Sequence, residues 1–431
     1  MTTSSRWIAR FAALAAAALA AGAWETRAQG GAVAFTNANV IGLSGQPDIA
    51  SGVIVVRGGR VAEIGPAGRV RPPAGSAVVD LGGRVVLPGF ISAHAHVSDV
   101  NGMGARAYTE ANTLRQLGVF ARYGVTSVWS LGGEAAPAFA VRDAQDAASL
   151  DRARLYVAGD VITAATPEEA RTRVAAMAAR NVDVIKIRVD DNLGANTKMP
   201  PAVYRAVIDE AHRHALRVAA HVFYLADAKD LVRAGVDVIA HSVRDREIDD
   251  ELIALMKARD IPYCPTLTRE LSTFVYESTP AFFSDPFFLR EADPAVIAAL
   301  REPQRQQAMR ASQSAQAYKA ALPTAERNLE KASDAGITIA MGTDAGPSPE
   351  RFQGYFEHLE MEMMVRAGMS PRDVLRAATA GGARAMRVDG IGSLATGSRA
   401  DFVVLDRDPR TDIRHTRDIA SVWIAGNPVK R

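Results

Sequence analysis

The sequence predicts an α/β protein: a (β/α)8 barrel over residues 88–387, joined to a small composite β-sandwich built from residues 32–87 and 388–431. Three observations carry this prediction. Eight apolar, strand-like runs alternate with helical patterns through the middle of the chain, the signature of βα units in a parallel sheet. Stretches of β-branched residues broken by turns occupy only the two ends. His94, His96, Lys186, His221, His241 and Asp344 each fall at or near the end of one of the eight runs, where an eight-stranded parallel barrel opens its active face.

The elements follow in chain order. Residues 1–28 place Arg6 and Arg10 before an Ala/Leu-rich run from Phe11 to Ala23, and small residues follow at cleavage positions, which predicts a secretory signal peptide. The apolar run falls short of the roughly 20 residues needed to span a bilayer, so no stable membrane span is expected after cleavage. The cut falls after Ala28, with Ala21 and Ala23 offering a second site, and the mature protein is expected in the periplasm or outside the cell. Losing Arg6, Arg10, Glu25 and Arg27 takes the formal charge from +2 to zero. With no basic block or stripe, nucleic acid is excluded as a partner and a small-molecule substrate is expected; homo-oligomerisation is left open. The single cysteine, Cys264, excludes internal disulfides and lies in the apolar IPYCPTL, where a buried packing role is expected.

AVAFTNANVIG, GVIVVRGGRVAEIG and AVVDLGGRVVLPG read as strands and hairpins, with Gly58-Gly59 a two-residue turn whose positions both accept positive φ. The same style returns in GSLATGSRADFVVLDRDP and IASVWIAGNPVK. Between them lie the eight runs: GFISAHAHV, TSVWSLG, RLYVAGD, VDVIKIRV, RVAAHVF, VDVIAHSV, IPYCPTLT and ITIAMGTDA. The connections are helical on local grounds: TPEEARTRVAAMAAR offers Thr166 as N-cap and Pro167 at the first helical position. The segment 271–322 is too long for a plain loop and carries AFFSDPFFLR, so it reads as a helical lid or wall over the barrel mouth. On that reading, trimming Phe282 and Phe283 raises KM.

The chemistry lies at the strand ends. His94 and His96, two apart on one strand, send both imidazoles from the same face towards one point, which suits a metal ion. The other four residues converge on that face through the barrel, making a ligand-rich cluster rather than isolated structural histidines.

These motifs resemble the amidohydrolase superfamily, over nearly the whole mature chain. The resemblance rests on LPGFISAHAH after the β-segment, the lone lysine of the fourth run, the histidines of the fifth and sixth, GTDAG in the eighth and the closing GSLATGSRADFVVLD. It points to the prolidase-like and imidazolonepropionase-like branches with a carboxylated lysine. It implies two divalent ions, the more buried one on His94, His96 and Asp344, the second on His221 and His241, and a CO2-derived carbamate on Lys186 bridging both. One departure is visible: Lys186 is followed by IRVDD rather than a Ser-Gly-Gly stretch. Zinc suits imidazole-rich ligation best, while manganese, cobalt and iron stay open.

The reaction this implies is hydrolysis of an amide, in a peptide-like or N-acyl amino acid substrate, by a hydroxide shared between metals about 3.5–4 Å apart, with Asp344 as proton shuttle. Lactones, cyclic amides and phosphotriesters are rival substrates for the same site. A catalytically silent exported binding protein on this scaffold is a rival of another class, and would be expected to lack several ligands, whereas all six positions are filled. Three further residues are candidates for substrate binding: Tyr224 as donor to the carbonyl oxygen, Arg269 as partner for a carboxylate or else a surface ion pair, and His358, for which helix packing competes.

Overall fold

A computed structural model describes residues 31–430; the predicted signal peptide, 1–28, lies outside the described residues. The β-branched N-terminal segment folds as β1 (Val33–Val40), β2 (Ile49–Arg57), β3 (Arg60–Pro66), β4 (Ala77–Asp80) and β5 (Val85–Pro88). Gly58 and Gly59, at φ +53° and +76°, make the tight β2–β3 turn that their sequence predicts.

The barrel strands follow. β6 (Phe90–Ala95), β7 (Val125–Ser130) and β8 (Arg154–Val157) form one parallel sheet, and β9 (Ile185–Val189), β10 (Val218–Val222), β11 (Val238–Ala240) and β12 (Tyr263–Cys264) form another. Every residue of β6, β7 and β8 is buried, as strands covered on both faces require. Backbone bonds join the two sheets into a ring. Ile162 N–H donates to Lys186 O at 2.8 Å between β8 and β9. The eighth run forms no long ladder but touches both neighbours: Tyr263 N–H donates to Thr338 O at 2.9 Å, and Ala93 N–H to Met341 O at 2.7 Å. The eight runs therefore surround one core in sequence order, with their C-terminal ends on one face.

β13 (Phe402–Leu405), β14 (Ile419–Ile424) and β15 (Asn427–Pro428) return to the N-terminal strands, giving the order β15-β14-β13-β5-β1-β2-β3 with β4 on β1. The two chain ends thus share one small β-domain. Its layers are joined rather than separate. Register shifts in β1 let its first half pair with β4 and its second with β5, so one sheet curls around Phe35, Phe402 and Trp423. Phe35 meets the other two edge-on at 4.9 and 4.7 Å. Arg154 of β8 ties this domain to the barrel by a buried pair with Asp401, at 2.6 and 3.2 Å.

The insertion after β12 contains short helices Pro286–Leu289, Pro294–Leu300 and Pro303–Ala311. Its predicted end at 322 falls inside a continuous helix, Gln313–Asp334. The apolar stripe Tyr318, Leu322, Ala325, Leu329, Ala332 runs unbroken through that helix, and its packing outweighs the cost of Pro323 in mid-helix, about 3 kcal/mol.

The aromatic segment needs a correction. Phe288, Glu291, Asp293 and Val296 do wall a cavity together with Arg351, but Phe282 and Phe283 are not among its lining residues. Phe283 is 2% exposed and stacks between Phe288 (5.5 Å) and Tyr276 (5.9 Å), while Phe282 packs edge-on against both Phe283 and Phe288. These two rings build the wall's interior. Phe283→Ala is therefore expected to lower stability by about 3–5 kcal/mol, read as a fall in Tm by calorimetry, with KM of the folded enzyme unchanged. An unshifted Tm with a raised KM would restore the contact role.

Candidate metal centre

Side chains at the ends of β6, β9, β10, β11 and the eighth run meet, all of them buried except the part-exposed His96. His94 Nε2 and His96 Nε2 lie 3.5 and 2.8 Å from Asp344 Oδ1, and Lys186 Nζ lies 3.4 Å from His94 Nε2. The His241 ring stands 4.4 Å from His94 and 4.0 Å from His221, centroid to centroid. One donor atom each from His94, His241 and Asp344 falls within 4.8 Å of the others, a group able to hold a metal ion. All six predicted residues therefore come together.

Three of the four imidazoles have one nitrogen secured by the surrounding protein. His96 Nδ1 bonds Gly132 O at 3.0 Å, His241 Nδ1 bonds Thr266 Oγ1 at 2.6 Å, and His221 Nε2 bonds Asp190 Oδ2 at 2.8 Å. The opposite nitrogens, Nε2 of His96 and His241 and Nδ1 of His221, are left to act as ligands. The exception is His94, whose Nδ1 is buried without a partner.

Burial keeps the rings of His94, His221 and His241 neutral, as ligation requires. It holds His94 and His241 well below the ordinary histidine range, and takes His221 down to about 3 against the pull of Asp190. Burial also lowers Lys186 to about 8. Asp344 goes the other way: burial resists its charge, but the Arg351 guanidinium and His96 hold it well below the usual carboxylate range.

The local backbone is built for close approach. Asp344 and Thr266 are non-glycine residues in the left-handed region, at φ +57° and +52°. A Cβ at Gly342 would stand 2.7 Å from His94 N, and one at Gly346 2.0 Å from His96 O, so both glycines of GTDAG are demanded sterically. Two buried carboxylates brace the strand ends from behind. Glu357 accepts from Ser92 and Thr343, and Glu360 accepts from the amides of Leu267 and Thr268.

The substrate-binding candidates fare differently. His358 is fully buried between Tyr123 O (2.8 Å) and Thr416 Oγ1 (3.0 Å), with Phe287 edge-on at 4.9 Å. Both ring nitrogens are committed to packing contacts on the helix Tyr355–Arg366, so the substrate-binding expectation for His358 is corrected. The Tyr224 hydroxyl donates to Asp191 at 2.8 Å, and donation to a substrate would require breaking that bond. Arg269 is buried rather than forming a surface ion pair.

Two contacts at the centre were not foreseen. Arg351 Nη1 lies 2.5 Å from Asp344 Oδ2. Asp190, the first aspartate of the IRVDD departure, holds His221 and carries a carboxyl well below its usual range: burial opposes this, and the His221 bond outweighs it. Asp190→Ala is accordingly expected to weaken metal affinity about 10–100-fold, measured by metal-buffered titration. Affinity equal to wild type would confine Asp190 to packing.

A parallel barrel whose C-terminal mouth gathers imidazoles, a lysine and a carboxylate defines a metal-dependent hydrolase scaffold. The chain belongs to the amidohydrolase family, whose model matches residues 85–429. It is 26% identical to an imidazolonepropionase of Streptomyces avermitilis, over 89% of this chain and 88% of that protein. Among solved structures, a putative prolidase from Bifidobacterium longum is 27% identical with a TM-score of 0.74, covering 93% of this chain and 95% of that one. Phenylurea hydrolase B is 25% identical with a TM-score of 0.71, covering 93% and 97%. The chain is thus a hydrolase acting on carbon–nitrogen bonds, of a family that generally uses divalent metals. Its donor set fits such ions: the neutral, buried imidazoles of His94, His221 and His241 beside one ionised carboxylate.

Proposed function

We propose that this chain is a binuclear amidohydrolase, exported from the cytoplasm, that cleaves the amide bond of a peptide-like or N-acyl amino acid substrate. The observation that carries this reading is the inward orientation of the imidazoles around Asp344, fixed by Gly132, Thr266 and Asp190. His94, His96 and Asp344 would hold one divalent ion, His221 and His241 the other, and carboxylated Lys186 both. Zinc is the first choice. Ions held there would supply a water of lowered pKa as nucleophile and polarisation of the scissile carbonyl. Asp344 accepts the proton released and returns it to the departing amine. The neutral rings of His94, His221 and His241 add no positive charge to compete with the ions.

The test is elemental analysis of native protein, followed by assays of zinc- and manganese-loaded enzyme on N-acyl amino acids, lactones and phosphotriesters. About two metals per chain and hydrolysis of the N-acyl amino acids are expected. Turnover of lactones or phosphotriesters alone would overturn the bond assignment, and protein purified without metal would point to a silent binding scaffold.

A further inference from the structure

The three oriented imidazoles are not held alike. His221 and His241 are fixed by side chains, Asp190 and Thr266, whereas His96 is fixed by a loop carbonyl, Gly132 O, at 3.0 Å. A carbonyl only accepts, so this bond places a ring proton on Nδ1 and turns Nε2 towards Asp344. The choice is as firm as the loop that makes it. Gly132 presents its carbonyl from φ +120°, where a Cβ would stand 2.4 Å from Val161 Cγ2, so the position admits glycine alone. A residue with that much backbone freedom stays in one conformation only if its neighbours hold it there.

Glu134, two residues on, supplies that hold. It is 1% exposed. Its Oε1 accepts from Ser130 Oγ at 2.5 Å and from the Gly132 amide at 2.9 Å, and its Oε2 accepts from the amides of Ala158 and Gly159 at 3.1 and 2.7 Å. Four donors match the roughly four lone-pair sites of a carboxylate, and with donors alone around it the pocket suits the anion. Burial pushes the carboxyl up to about 7, while the bonds from Ser130, Gly132 and Gly159 and the nearness of His96 act the other way. Ser130 Oγ accepts in turn from the amide of Val97, next to His96, at 2.9 Å. The Gly132–Gly133 peptide is gripped from its far side too, where Gly133 N–H donates to Gly159 O at 2.8 Å. One buried carboxylate thus ties the ends of β6, β7 and β8 around the ring of His96.

We infer that Glu134 is a positioning residue of the metal centre: by pinning Gly132 it sets which nitrogen of His96 faces the ion and where that nitrogen stands. It reaches neither the ion position nor the substrate and acts through one peptide group. The inference rests on the metal-centre reading and is independent of which bond is cleaved. A glutamine at this position must turn its NH2 onto two of the four donors, so in either orientation donor opposes donor and one half of the tie is lost. A role in packing alone would cost stability and leave the ion untouched. The tie through Gly132 costs both.

The experiment compares wild type, Glu134→Gln, Glu134→Asp and Asp183→Asn, each stripped of metal, melted by calorimetry and titrated with buffered zinc. Glu134→Gln is expected to bind zinc about 10–100-fold more weakly. Glu134→Asp keeps the charge but is one methylene short, and should lose less; it carries the comparison if the glutamine variant does not fold. Asp183 is the control, a carboxylate that accepts from Val157 of β8 at 2.7 Å and from Arg142 at 3.0 Å. Asp183→Asn should lower Tm with zinc affinity unchanged. In cobalt-loaded protein the ring N–H protons of ligand histidines give exchangeable, paramagnetically shifted resonances. The His96 Nδ1 proton, assigned by its loss in His96→Asn, should exchange with solvent faster in Glu134→Gln and at the wild-type rate in Asp183→Asn. Wild-type zinc affinity and proton exchange in both Glu134 variants would overturn the inference and leave Glu134 a brace of the barrel, as would an equal loss of affinity in Asp183→Asn. A wild type that binds no zinc would overturn the metal centre itself and this inference with it, whereas failure to cleave amides would overturn only the reading of the bond.

Discussion

Lys186→Ala is expected to lose metal and activity together, with kcat/KM falling on the order of a thousandfold, since several kcal/mol of charge stabilisation disappear with the bridge. The residue is buried on β9 with Nζ 3.4 Å from His94 Nε2. An ammonium in that position would be repelled by metal cations. The competing account, an ion pair with Asp190 or Asp344, is weakened because Asp190 is bonded to His221 and Asp344 to His96 and Arg351. Burial lowers the amine to about 8, which makes the neutral, nucleophilic form accessible near neutral pH. Its nitrogen can add to the carbon of CO2 and lose a proton, giving an anionic carbamate whose oxygens would be available to a metal. A short carboxylic acid such as propionate, added to the alanine variant, should occupy the vacated space and restore part of both metal content and rate. Full activity in the variant, or unmodified lysine in a metal-replete crystal structure, would overturn the bridge.

The six central residues were legible because each lies at the end of an apolar run, and a parallel barrel gathers such ends whatever its loops do. The residues that orient them were not. Asp190 follows Lys186 by four positions, but its contact with His221 depends on the β9–β10 register, which sets His221 opposite Arg188 and Val222 opposite Val189. No local pattern states that register. Thr266 and Arg351 reach His241 and Asp344 from loops whose course is set by tertiary packing, Thr266 through a left-handed backbone that a β-branched residue seldom adopts. The aromatic segment 281–289 was misassigned in detail for a related reason. Rings that line a cavity and rings that fill the wall behind it have the same composition, and only their neighbours distinguish Phe283 from Phe288. His358 shows the same limit: a helical context suits a ligand-facing or a packed ring alike, and only the tertiary contacts of Tyr123 and Thr416 with its two nitrogens distinguish them.

Asp344→Asn should keep the fold and lower kcat on the order of 10³–10⁵-fold, because the one side chain is asked both to ligate and to carry a proton. The fold is expected to survive for a backbone reason. Asp344 sits at φ +57°, a conformation that asparagine accepts as readily as aspartate. The chemistry is not so forgiving. Oδ1 faces His96 and His94 at 2.8 and 3.5 Å, while Oδ2 accepts from Arg351 at 2.5 Å. An amide must turn its NH2 towards one of these sides. Facing Arg351, it opposes donor to donor; facing the imidazoles, it removes the oxygen from the metal position. In either orientation no anionic oxygen is left to accept the proton from the attacking water. Melting temperature near wild type, reduced metal occupancy and a depressed kcat in metal-saturated assays are the expected set, measured on the same preparation. Turnover near wild type at saturating metal would show that another group carries the proton, and would leave Asp344 a ligand only.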